Sequence, residues 1–264
     1  MSAAVLGGPT LTQVGLLARR SVIRTSREPA QIVFPILFPL ILLAVNASGL
    51  SAATRLPGFP SRSYLDFALA LPFMQGAIFA ALNAGQDLAR DIQTGFLDRL
   101  AMTPMSGAAL LAGQLGGALV MGAVSSVLYL LVGITFGVGI VAGVGGALVL
   151  LVLAITISFA FACFGTFVAL RAGSGEAVQG FFPLFFVLLF LSSASFPRNL
   201  IEQDWFRTIA TWNPVSYMVE GIRSLVITGW DGQALARAFA IALAGIAIAL
   251  FLASRALRTR LVRT

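Results

Sequence analysis

"ARDIQTGFLDRLAMTPMS", residues 89–106, gathers Arg90, Asp91, Asp98 and Arg99 within ten positions, with Asp87 just before them. Immediately afterwards residues 100–170 run for 71 positions without a charge, and residues 67–86 on the other side are also uncharged. A helix that crosses a membrane needs about 20 mostly apolar residues. The charged knot therefore sits between hydrophobic spans. The whole chain agrees: of 264 residues 58% are hydrophobic and only 10% charged, and the mean hydropathy is +0.95. That leaves too few polar side chains to clothe a water-soluble fold.

Stretches free of charge count the spans. Residues 29–54, 67–86, 177–197 and 238–254 each fit one. The run 100–170 is long enough for two, and its Gly-rich middle, "GVGIVAGVGG" at 137–146, is the natural turn. The expected fold is an all-α integral membrane protein, one domain over 1–264, with six helices near 30–50, 65–86, 107–133, 146–170, 177–197 and 235–254. An even count puts both termini on one side. With the termini inside, eleven Arg face the cytoplasm and six lie outside, while the acids divide evenly. Trp205, Trp212, Trp230 and Tyr217 then fall on the outer side, where an apolar ring with a polar edge favours the interface. The first long apolar run begins only near Ile32, so no signal peptide is expected, and a bacterial plasma membrane is the expected location.

Several chemistries are excluded by what is absent. All 17 basic residues are Arg, with no Lys and no His. A P-loop needs its phosphate-contacting Lys, so the chain carries no ATPase site of that kind. Without His it lacks the usual general base and the commonest transition-metal ligand. The single Cys, Cys163 in "FAFACFG", permits no intrachain disulfide and reads as a buried structural thiol. No catalytic residue and no metal site are assigned. The net charge of +7 is spread in small groups with no basic stripe, which argues against nucleic acid.

Read as a helix, Leu88, Ile92, Phe96 and Leu100 form one apolar stripe. Asp87, Asp91, Thr94 and Asp98 lie opposite, with Arg90 at the edge; Gly95 invites a bend, and Pro104 closes the segment. Such a helix is either an interfacial connector or a docking helix for a cytoplasmic partner. Residues 11–27 show a similar division, with Leu11, Val14, Ala18 and Val22 on one face and Arg20, Arg24 and Arg27 on another, suited to anionic lipid. Residues 198–231 are too charged to span, yet carry apolar runs and all the Trp. Short outer helices dipping into the interface would satisfy both facts, and Glu220 and Arg223, at i and i+3, are spaced to pair.

"LARDIQTGFLDRLAMTPMS" resembles the cytoplasmic loop signature of ABC-2 type transport permeases, carried here by Arg90, Asp91, Gly95, Leu97, Asp98, Leu100 and Pro104. "SSASFPRNLIEQDWFRTIATWNPVSYMVEGIRSLV", residues 192–226, resembles the family's region after its fifth span, through Phe196-Pro197, Asn213-Pro214, Tyr217, Glu220 and Arg223. The charged pair departs mildly, being Arg-Asp where the family often has Glu and Arg. The resemblance implies a permease, itself no enzyme, acting as a dimer with an identical or different second permease. Two cytoplasmic ATPase subunits would bind the ATP and Mg. In it residues 11–27 form a connecting helix beside the ATPase and the docking loop, and Arg90, Asp91, Gly95, Phe96, Asp98, Arg99 and Leu100 form the coupling segment. An amphipathic drug-like or lipid-like cargo is expected; a polysaccharide or glycolipid is the alternative, and a secondary transporter or channel the more distant one. Five Phe crowd "FFPLFFVLLF" at 181–190, either as packing and lipid contact or as a substrate wall. On the second reading Phe182, Phe186 and Phe190 face Phe73, Met74, Phe79 and Asn83 of the second span. Active transport needs energy, and the uncharged spans hold no carboxylate to relay protons. A partner must supply it.

Overall fold

The structure, a computed structural model, describes residues 10–101 and 107–261, and every regular element among them is helical. An amphipathic α1 (Thr10–Ser26) precedes α2 (Ala30–Gly49). The short α3 (Tyr64–Ala68) leads into α4 (Ala70–Gln93), and α5 (Phe96–Ala101) follows after a break. Two long helices, α6 (Gly107–Thr135) and α7 (Gly143–Ala172), are joined through the glycines of the expected turn, where Gly137 and Gly143 take φ of +94° and +69°. Next comes α8 (Gly175–Phe190), then α9 (Asp204–Trp212), α10 (Pro214–Arg223), a π-type turn at Ser224–Thr228, and α11 (Gly232–Leu261).

Five of these segments are long and apolar enough to cross a membrane: Gln31–Gly49, Tyr64–Gln93, Ala109–Thr135, Gly143–Ala172 and Gly232–Arg260. The segment expected as a fifth span at 177–197 is shorter than its sequence suggested. Its helix has 16 residues, about 24 Å at 1.5 Å per residue, against a hydrocarbon thickness of about 30 Å. Serines end it. Ser192 Oγ donates to the Leu189 carbonyl, and the Ser193 amide donates to Ser216 Oγ instead of continuing the helical ladder.

Lipid tails are as apolar as leucine, so helices in a membrane associate by close packing rather than by escape from water. Small residues provide that closeness here. The α4–α7 pair is the most intimate: a Cβ on Gly165 would stand 1.9 Å from the Ala81 carbonyl oxygen. On α6, Gly116 and Gly117 make room for Ala18 and Ser21 of α1, which lies along it. α4 is consequently the central helix, buried from Ala70 to Ile92 at most positions.

Gly165→Ala is therefore expected to push α4 and α7 apart and cost about 1–3 kcal/mol, the usual penalty of overpacking. Gly180→Ala on α8, which meets nothing within 4 Å, is the control and should melt no lower than the parent, since Ala favours a helix over Gly. Thermal unfolding of the purified protein in one detergent compares the two.

Candidate functional site

The charged stretch is built against α1. Arg20 and Arg24 stand four residues apart on α1, and Asp87 and Asp91 stand four apart on α4, so each pair shares a helical face. The faces meet. Arg20 grips Asp91 with both terminal nitrogens, at 3.1 and 3.0 Å, and Arg24 Nη1 donates to Asp91 Oδ1 at 2.9 Å. Arg24 Nη2 lies 3.0 Å from Asp87 Oδ2, an ion pair whose angle falls short of a hydrogen bond. At the edge Arg90 pairs with Glu28 in the α1–α2 link. The Asp91 side chain is only 5% exposed, and its carboxylate is filled by two guanidinium groups. Of the face read from the sequence as opposite the apolar stripe, Asp87 and Asp91 are thus buried as well, while Thr94 is exposed.

Thr94 ends α4 with its hydroxyl on the Arg90 carbonyl, and Gly95 takes φ +66°, which breaks the helix that the stripe implied was continuous. The break shifts the phase. Leu88 and Ile92 are buried as expected, but beyond Gly95 the buried residue is Leu97, not Phe96. Phe96 instead lies under Arg20, whose guanidinium carbon is 3.8 Å from the ring centre. Arg99 is exposed on α5. Asp98 and Leu100 are on the same helix, with side chains outside the described set, and Pro104 lies outside the described residues. The resemblance set residues 11–27 beside the charged loop, but the residue reading gave Arg20 and Arg24 only to lipid and did not pair them with Asp87 and Asp91; the matching i, i+4 spacings were the available signal. Arg19 and Arg27 remain exposed and, with Leu16, Ile23 and Glu28, border an open basic groove along α1.

The expected pathway residues divide. Phe79 of α4 meets Phe182 of α8 with ring centres 5.4 Å apart, and Phe186 and Phe190 continue the row at 5.0 and 6.1 Å. Phe34 and Phe38 of α2 close on Phe79 edge-to-face at 5.5 and 5.9 Å. The row runs from buried to open, since Phe79 is 3% exposed and Phe190 58%. Phe73 and Met74 point the other way, into the core: Met74 is fully buried and Phe73 packs edge-to-face on Tyr129 of α6 at 5.7 Å. Of the two aromatic positions expected on the second span, Phe79 is the one whose ring meets α8. Asn83 Nδ2 donates to the Gln31 carbonyl of α2 at 3.2 Å, a structural bond.

At the opposite end Asn213 caps α10 by accepting from the Val215 amide at 2.9 Å, while its Nδ2 donates to the Leu188 carbonyl at 2.6 Å. Pro214 is the first helical residue, where its missing N–H costs nothing. Tyr217 donates to the Thr211 carbonyl at 2.8 Å. Glu220 does not take Arg223, as its spacing suggested. It takes Arg198, whose Nε donates to Oε1 at 2.6 Å, because Arg223 is turned into the bundle. There it donates to the carbonyls of Phe67 at 2.9 Å, Ser193 at 2.5 Å and Ala194, with its plane on the Phe67 ring. Burial lowers its pKa, and the nearby Glu220 charge opposes that shift. Arg198, Glu220, Arg223, Asp231 and Arg237 line an open cavity of about 450 Å³.

Comparison with known proteins follows the same outline. Residues 12–227 match the model of the ABC-2 type transporter family. A daunorubicin resistance ABC transporter permease protein, DrrB1, of Streptomyces coeruleorubidus is 26% identical over 211 residues, which cover 78% of this chain and 72% of that protein.

Removing one partner from a buried ion pair leaves the other charge stranded, a loss of roughly 3 kcal/mol or more. Asp91→Ala strands two guanidinium groups and should lower the melting temperature most. Arg24→Ala should follow, and Arg20→Ala, whose side chain is 37% exposed, should cost least. A reversed order in thermal unfolding would contradict the described clamp.

Proposed function

The chain belongs to the ABC-2 type transporter family, and from that premise we propose that it is the permease of an ATP-driven exporter that moves an amphipathic, drug-like compound outward. Its substrate class rests on the aromatic row and on the drug-resistance role in the name of its Streptomyces relative. Two copies of a separate ATPase bind the ATP and Mg, and a second permease completes the pathway. α8 serves as a short sixth crossing beside the five long ones, which returns both termini to the cytoplasm. α9 and α10 then lie outside, α9 with Trp205, Ile209 and Trp212 turned outward to the interface, and α10 re-entrant within the bundle.

The observation that carries the reading is the joining of α1 and α5 to one end of α4. The Arg20–Asp91 and Arg24–Asp87 contacts and the stacking of Arg20 on Phe96 make these elements one mechanical unit. Phe96, Arg99 and Arg90 remain at its surface for the ATPase, whereas Asp91 acts as a positioning residue. A push on α5 thereby reaches α4, whose Phe79 stands at the inner end of the aromatic row. Because α4 runs to Gln93, two carboxylates do fall within its length, but both are held by Arg and not free to relay protons. Energy from a partner chain remains the better account than a secondary transporter.

Phe96→Ala removes an apolar contact and Arg99→Glu reverses a rim charge, so each is expected to reduce co-purification of the ATPase and ATP-dependent export. Membrane insertion should be unchanged. Wild-type association and export by both variants would reduce α5 to a connector.

A further inference from the structure

Two prolines interrupt α2 from within, Pro35 and Pro39. A proline has no N–H, so each leaves the carbonyl four residues earlier without its helical donor. Those orphans are the carbonyls of Gln31 and Pro35. In hydrocarbon such a group has no water to turn to, and a neighbouring helix must supply the bond. Both orphans are answered from outside α2. Asn83 Nδ2 of α4 donates to the Gln31 carbonyl at 3.2 Å, and the Tyr129 hydroxyl of α6 donates to the Pro35 carbonyl at 2.6 Å. The second bond is fully buried. Two side chains from two different helices thus meet the two carbonyls that the prolines release.

The consequence is mechanical. α2 exposes Val33, Leu37 and Ile41, while Phe38 and the half-exposed Phe34 touch Phe79. Its proline-broken middle is fastened to α4 and α6 by polar bonds, while its contacts with Phe79 are apolar. We propose that Asn83 and Tyr129 are positioning residues for transport, which fasten the broken turns of α2 to α4 and α6 so that this wall of the aromatic row moves with them. The inference rests on the exporter reading for the word transport; the fastening itself does not.

The test pairs each donor with its own proline. Tyr129→Phe keeps the ring against Phe73 and removes only the hydroxyl, and Asn83→Leu keeps the volume and removes the amide. Each should lower the melting temperature by about 2–4 °C, the effect of one hydrogen bond in a chain of this size. Pro39→Ala restores an N–H that can reach the Pro35 carbonyl, so it should rescue the stability of Tyr129→Phe but not of Asn83→Leu. Pro35→Ala should rescue Asn83→Leu alone. Export per folded molecule, with the ATPase co-expressed, should stay depressed in both matched pairs, because the carbonyl is satisfied but the tie is gone. Rescue without regard to pairing, or no loss on removing either donor, would overturn the fastening. Export that recovers along with stability would overturn the positioning role and leave the two side chains as plugs for bare carbonyls. A parent chain that exports nothing with its ATPase would sink the exporter reading instead, and the stability pattern would still decide the fastening.

Discussion

Two guanidinium groups of α1 close on two carboxylates of α4 where that helix runs out of apolar sequence, and the arrangement of this end of the molecule depends on that contact. A buried carboxylate is costly unless a cation and hydrogen bonds replace its water. Asp87 and Asp91 lie at the end of a helix buried along nearly its whole length, so they have little freedom to seek solvent. Arg20 and Arg24 come to them, and α1 is fixed in direction by having to deliver both. Its small residues then lie against Gly116 and Gly117 of α6, and Arg20 covers Phe96 and sets the attitude of α5. A sequence segment that could have been a solvated connector becomes part of a braced corner.

The same accounting governs the other polar groups. Arg223, buried far from the clamp, spends its donors on three main-chain carbonyls and so closes the ends of α3 and α8 around α10. Asn213 both caps α10 and bonds the last turn of α8. Asn83 and Tyr129 answer the carbonyls that prolines free in α2. In each case a side chain on one helix satisfies the backbone of another. Apolar packing in lipid has little preference for one register over the next, so these polar bonds supply much of the specificity.

What could be read from the sequence was what depends on local pattern. Charge-free runs located the five long helices, glycines located the turn after α6, and Gly95 marked the break before α5. What escaped was direction. In a soluble helix the polar face points to water, but near a membrane a polar face can equally point to another chain segment, as at Asp87 and Asp91. Phe73, Met74 and Phe79 are all apolar residues of one helix, and composition cannot say which of them turns into the core and which meets α8. The φ of Gly95 moved Leu97 into the place expected for Phe96, a register change no periodicity contains. Glu220 and Arg223 share the spacing of a helical pair, yet a competing arginine, Arg198, lay in a neighbouring turn. The length of α8 was misjudged because serines count as neutral in a hydropathy run while ending a helix through their hydroxyls.

If α1 and the end of α4 form one body, their separation must survive the ATPase cycle. Spin labels at Arg19→Cys and Gln93→Cys, both exposed positions, in a Cys163→Ser background would report it in the transporter assembled with its ATPase. The account predicts the same narrow distance distribution with ATP bound and after hydrolysis, with the clamp intact in both. A distribution that broadens or shifts between the two states would mean that α1 slides on α4, and the clamp could not be what carries motion from α5 into the bundle.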